Sequence, residues 1–203
     1  MTFPSFFSEA PRIQMRDPLA RFLGASDDGL IEYNYADAVR LAGHSCPTVA
    51  GSWLMVRAAM KALYPDGPAE RGGIGVWMNG QEDEGTTGVI AQVFTLVTGA
   101  TANNGFHGLG GRFVRNGLLS YGNGGNAIAH FRRLDTGMTV GVNMDLSNIP
   151  PAPQMRNLMM QAMAPDATDE VISAFGAAWQ DRVRRLLLEH ADDPTAIRVH
   201  VAA

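Results

Sequence analysis

Two strongly apolar stretches at helical spacing constrain what this chain can fold into. From Thr48 to Leu63 the residues Val49, Trp53, Val56, Met60 and Leu63 recur at three- and four-residue intervals. Thr48 is the expected N-cap, and Tyr64-Pro65-Asp66-Gly67-Pro68 stops the helix. The second stretch, Gly88 to Thr98, carries Val89, Ile90, Val93, Phe94 and Val97, with Gly99 as its C-cap. Around them helices and strands alternate without a regular βαβ rhythm. That predicts an α+β fold, a mixed or antiparallel sheet packed with helices and followed by a C-terminal helical element.

The strands are expected at Leu30–Tyr35, Gly73–Met78, Ile128–Leu134, Met138–Val142 and Ile197–Val201. The third and fourth form a hairpin at the turn Asp135-Thr136-Gly137. Shorter β-like pieces fall at Arg112–Val114 and Leu118–Tyr121. Further helices are predicted from Asp17-Pro18 to Leu23, over Asp37–Ala42, over Met155–Met163 and over Asp169–His190. The last carries Val171, Ile172, Phe175, Trp179, Val183, Leu186 and Leu187 on a broad apolar stripe, which must pack on the body or on a second copy of the chain. Pro150-Pro151-Ala152-Pro153 is the one linker-like break. The expected organisation is an N-terminal arm over 1–30, an α+β domain over 31–150 and C-terminal helices over 151–203.

A chain of 203 residues with a net charge of −4 lacks the basic footprint of a nucleic-acid binder and can bury a substantial core. No segment approaches the roughly 20 apolar residues of a membrane span. The N-terminus has no basic region or uninterrupted apolar run, so a signal peptide is not expected. A single cysteine, Cys46, cannot pair within the chain, which points to a reducing, cytoplasmic compartment.

That cysteine lies in Gly43-His44-Ser45-Cys46-Pro47, at the start of the first apolar helix. Helix N–H groups and dipole favour the thiolate that metal ligation and nucleophilic attack both require. Thiolate with neutral imidazole is a usual donor set for zinc and other late transition metals. His44 and Cys46 are therefore candidate metal ligands, with His107 or a carboxylate from Glu82, Asp83 or Glu84 to complete the set. The alternative is a metal-free hydrolase or transferase with Cys46 as nucleophile and His44 or His107 as base. The plainest reading makes Cys46 a small buried hydrophobe and His44 a loop hydrogen-bonder. The glycine-rich span Gly105–Gly125 does not match a phosphate-binding loop. Arg112 and Arg115 within it are read as solvated surface residues, though either could hold a carboxylate or phosphate.

The run Gly43-His44-Ser45-Cys46-Pro47-Thr48-Val49-Ala50-Gly51 resembles the Gly-His-x-Cys-Pro-Gly signature of the FmdE-like family, named for a component of formylmethanofuran dehydrogenase. Gly88 to Thr101 is similar to that family's second helix and the turn that ends it. The resemblance covers roughly residues 37–145. It implies an α+β domain, often dimeric, with a metal near the His-x-Cys loop and a role accessory to a redox or metalloenzyme system. His44 and Cys46 carry over as ligands of a divalent transition metal, zinc first and nickel or iron as alternatives. This chain departs from the family in having no second cysteine near the start of the second helix, Ala100 at the turn cysteine and no cysteine-rich tail. Expected partners are a second copy of the chain, as a homodimer, and a metalloenzyme. Whether the protein is itself an enzyme stays open.

Overall fold

In the computed structural model, which describes residues 3–201, the first apolar stretch becomes a helix buried on nearly every side. In chain order the elements are β1 (Ile13–Arg16), α1 (Pro18–Phe22), β2 (Leu30–Tyr33), α2 (Tyr35–Ala42), α3 (Pro47–Leu63), β3 (Ala69–Glu70) and β4 (Ile74–Met78). They continue as α4 (Thr87–Thr98), β5 (Leu119–Ser120), β6 (Ala129–Arg133), β7 (Thr139–Met144), α5 (Met155–Ala162), α6 (Asp169–Glu189) and β8 (Ile197–Val201). Eleven of the 17 residues of α3 are buried, which marks it as the central helix rather than a surface one. It is flanked by α2, α4 and α6 and by the β7–β8 side of the main sheet.

That sheet has the order β5-β4-β6-β7-β8. Only β4–β5 is parallel, and the other pairings are antiparallel, so the fold is α+β with a mixed sheet. Ile74, Val76 and Met78 of β4 alternate with Gly75 and Trp77, and their partners Phe131 and Ala129 are fully buried on the same face. Phe94 of α4 meets Phe131 edge-on at 4.9 Å between ring centroids, which fixes the helix on this face. A smaller sheet, β2-β1-β3, carries the N-terminal residues. Phe6 and Phe7, in a 3₁₀ turn over Ser5–Ser8, enter the same core as Ile197 near the C-terminus. Among the described residues no helix is long and apolar enough to cross a membrane.

Three local expectations are corrected. The N-cap of α3 is Cys46, not Thr48, because Pro47 takes the first helical position, where its missing N–H costs nothing. Residues 112–114 form no strand: a lone bridge joins Leu109 and Arg112, and Phe113 turns to a φ of 62°. Arg115 is not a solvated surface residue but is only 6% exposed, bound to Asp17 and to the Arg71 carbonyl.

The C-terminal turn is tied back to α3 by Asp192, whose carboxylate accepts from Arg57 and from Lys61, each at 2.9 Å. These bonds hold the carboxyl down at about 2, below its ordinary 3.8. A lowered folded-state value means that the stabilisation is full above the ordinary value and disappears as pH falls through the folded one. Asp192→Asn is therefore expected to lower stability at neutral pH, with the gap from wild type closing between pH 3.8 and about 2. The carboxylate is 64% exposed, so the neutral-pH gap should be only ~0.2–1 kcal/mol. Urea titrations across that pH range check this, and a gap that persists at the acid end would contradict it.

Candidate functional site

The His-x-Cys loop is built by two helices that meet end to start. α2 closes at Gly43, whose φ of 76° suits glycine and whose N–H returns to Val39 O. Four residues later, at Pro47, α3 begins. Cys46 is extended, and its Sγ accepts the Val49 N–H at 3.4 Å, so the sulfur sits over the first turn of the helix with a partial positive charge beside it. The thiol is half-buried.

Ser45, between the two candidate donors, is held from both sides. Its carbonyl accepts Trp179 Nε1–H and Gln180 Nε2–H, each at 3.1 Å. Its hydroxyl lies 3.0 Å from Gln180 Oε1 and 2.9 Å from the Tyr35 hydroxyl. An amide oxygen only accepts, so Ser45 Oγ donates to Gln180 and receives the Tyr35 proton. Burial pushes the Tyr35 phenol up, which keeps that proton on the ring oxygen at neutral pH. α2 and α6 thereby pin the middle of the loop.

His44 is exposed, and its Nδ1 lies 3.0 Å from Ala42 O. A carbonyl cannot donate, so Nδ1 carries a proton, and in the neutral ring the lone pair is on Nε2. This backbone-anchored tautomer is the arrangement that metal-ligating histidines commonly use.

The other candidates lie elsewhere. Met144 Sδ at the end of β7 packs on Gly51 of α3, and the β7–β6–β4 register carries the same edge to Met78, from which the chain leads into α4. The start of α4 therefore shares an end of the fold with the His-x-Cys loop. Glu82, Asp83 and Glu84 precede α4 there as an exposed loop, with Glu84 Oε2 accepting Gln81 N–H. His107 is exposed in the loop beyond the C-terminus of α4, about 18 Å of helix away. Among the described residues no three His, Cys, Asp or Glu side chains gather as a metal-holding group. The structure thus sets His44 and Cys46 on one short loop and leaves His107 at the opposite end.

Of the remaining histidines, His190 pairs with Asp193 at 2.7 Å. His130 and His200 stand on the outer face of the main sheet, 6.2 Å apart between ring centroids, on either side of Gly141. Among the described residues His200 Nε2 is buried without a partner, and it rests on the Gly141 backbone position.

No protein-family model matches the chain, and no curated protein does. Among solved structures it is similar to the crystal structure of a tungsten formylmethanofuran dehydrogenase FmdE-like protein from Syntrophus aciditrophicus. Identity is 16% and the TM-score 0.46, over 84% of this chain and 72% of that one.

Proposed function

We propose that the protein binds a divalent transition metal, zinc first, through His44 Nε2 and Cys46 Sγ. The observation that carries this reading is the His44 Nδ1 contact with Ala42 O, which leaves a lone pair on Nε2 two residues from the thiol. Two protein donors do not fill a closed structural zinc site, which takes four. They fit an open one, whose further ligands come from solvent, a small molecule, or a donor on a second copy or a metalloenzyme partner. A metal held there would supply a Lewis-acidic open position. The chain's own contribution is to pin Ser45, so that the two donors flanking it hold their places without a ligand. The Gly43–Pro47 motif supports the finer reading, an accessory protein of the FmdE-like family.

The test is metal content after gentle purification, together with cobalt(II) titration followed by its thiolate charge-transfer absorption. Wild type should show a saturable thiolate band. Cys46→Ala should abolish the band, and His44→Ala should weaken binding more than about 100-fold, beyond the usual loss for an outer-shell change. Iodoacetamide should alkylate Cys46 slowly in the metal-loaded protein and quickly after chelation. Absence of both metal and band would overturn the proposal. Rapid alkylation in metal-free buffer would then favour the nucleophile reading, to which the Val49 N–H beside the sulfur lends itself.

A further inference from the structure

Beyond the C-terminal end of α4, two clefts of about 400 Å³ each share Pro18, Arg112 and Phe113 in their walls. One of them is lined by three arginines from three elements: Arg16 of β1, Arg21 of α1 and Arg112 of the glycine-rich loop. Among the described residues none of the three is in an ion pair. The cleft also contains Asp17, which is consumed by Arg71 and Arg115. Its other carboxylate, Asp28, accepts from Leu30 N–H and Ser26 Oγ, neutral donors that hold it ionised, and Arg16 acts on the charge it keeps. With Asp17 paired to Arg71 and Arg115, three arginines face the one carboxylate of Asp28, so a chain with a net charge of −4 keeps a positive excess in this concavity.

Its wall is aromatic. Phe113 has a φ of 62°, a conformation that costs a bulky L-residue energy and that surrounding structure must hold in place. Its ring lies against Phe22 at 5.2 Å between centroids and under the Arg112 guanidinium at 4.8 Å. Phe22 is 60% exposed. Strain that keeps two rings at a solvent-facing wall serves no core.

From this cleft we infer a binding site for a phosphate ester carried on a flat ring, the chemistry of a nucleotide. A single carboxylate is satisfied by one bidentate guanidinium, whereas three guanidiniums from separate elements match the several oxygens and higher charge of phosphates. The Phe22–Phe113 wall offers a stacking surface for a ring, as aromatic platforms do for bases. The volume falls within the range of small-ligand pockets. The inference is independent of the metal reading, because the His-x-Cys loop lies at the other end of α4.

Calorimetric titration of the chelator-treated 203-residue chain with ADP, inorganic phosphate and adenosine tests it. ADP should saturate, and each half-molecule should bind at least tenfold more weakly. Arg21→Ala and Arg112→Ala should each weaken ADP at least tenfold. Phe113→Gly should keep or raise the melting temperature, since glycine adopts that φ freely, while weakening ADP. Any Arg variant that melts early is replaced by its Gln counterpart. The inference is overturned if ADP does not saturate below about 1 mM, a very weak complex. Phosphate alone matching ADP, or the folded Arg variants binding like wild type, would overturn it too.

Discussion

Asp17→Ala should destabilise the protein by about 3–5 kcal/mol, the range for removing one partner of a buried ion pair. Asp17 is 3% exposed, and its carboxylate has four protein donors. Oδ1 accepts from Leu19 N, Ala20 N and Arg115 Nη2, and Oδ2 accepts from Arg71 Nη1. Arg115 is nearly as buried, and burial already holds its guanidinium below the ordinary arginine value. Among the described residues its Nε and that of Arg71 are buried with no partner, so no spare acceptor stands beside either nitrogen. The alanine variant would strand two cations and uncap α1 in one change. Gly72 offers no relief, since at a φ of 85° its missing Cβ is where the Arg115 guanidinium lies. The cost should shrink in an Arg115→Met background, because the stranded charge is then absent, and a urea-denaturation double-mutant cycle measures the coupling. Asp17→Asn should fall between wild type and Asp17→Ala. A loss under about 1 kcal/mol for Asp17→Ala would mean that the pair behaves like a surface salt bridge despite its burial.

The same cluster shows why part of this molecule is legible in the sequence and part is not. The helices α3 and α4, the β6–β7 hairpin and β8 fall within a few residues of where periodicity and turn chemistry place them, because their signals are local. The Asp17–Arg115 pair joins residues 98 apart, and no spacing rule reaches that far. Arg115 reads as a surface arginine because charged residues usually are, and only tertiary contacts overrule that prior. The His-x-Cys loop divides in the same way. Pro47 could have shown that Cys46, not Thr48, caps α3, since proline favours the first helical position. The clamp on Ser45 comes from Trp179 and Gln180, 134 and 135 residues away, and Trp179 reads in sequence only as part of an apolar stripe. His107 and the His-x-Cys loop look combinable in one dimension. The length of α4 separates them in three.

Trp53→Ala should cost a similar ~3–5 kcal/mol, and it also tests whether the core reaches the candidate site. Trp53 is fully buried in the middle of α3, where its Nε1–H donates to Pro11 O at 2.9 Å and ties the N-terminal segment to the central helix. Its ring meets Tyr35 at 6.4 Å, and Tyr35 meets Phe7 at 5.0 Å, so the three rings form a continuous packed row. The phenol at the end of Tyr35 gives its proton to Ser45, so the row ends at the loop that carries His44 and Cys46. Trp53→Phe keeps a ring and strands only the Pro11 carbonyl, a penalty of about 1–3 kcal/mol. Tyr35→Phe removes one of the two hydroxyl contacts at Ser45 and should cost about 1 kcal/mol. If the row supports the loop, both Trp53→Ala and Tyr35→Phe should speed iodoacetamide alkylation of Cys46 in metal-free protein under conditions where each stays folded. Trp53→Phe should leave that rate near wild type. Unchanged alkylation in Trp53→Ala, despite its lost stability, would assign the support of the loop to Trp179 and Gln180 of α6 alone. Gln180→Ala would then be the variant that frees the thiol.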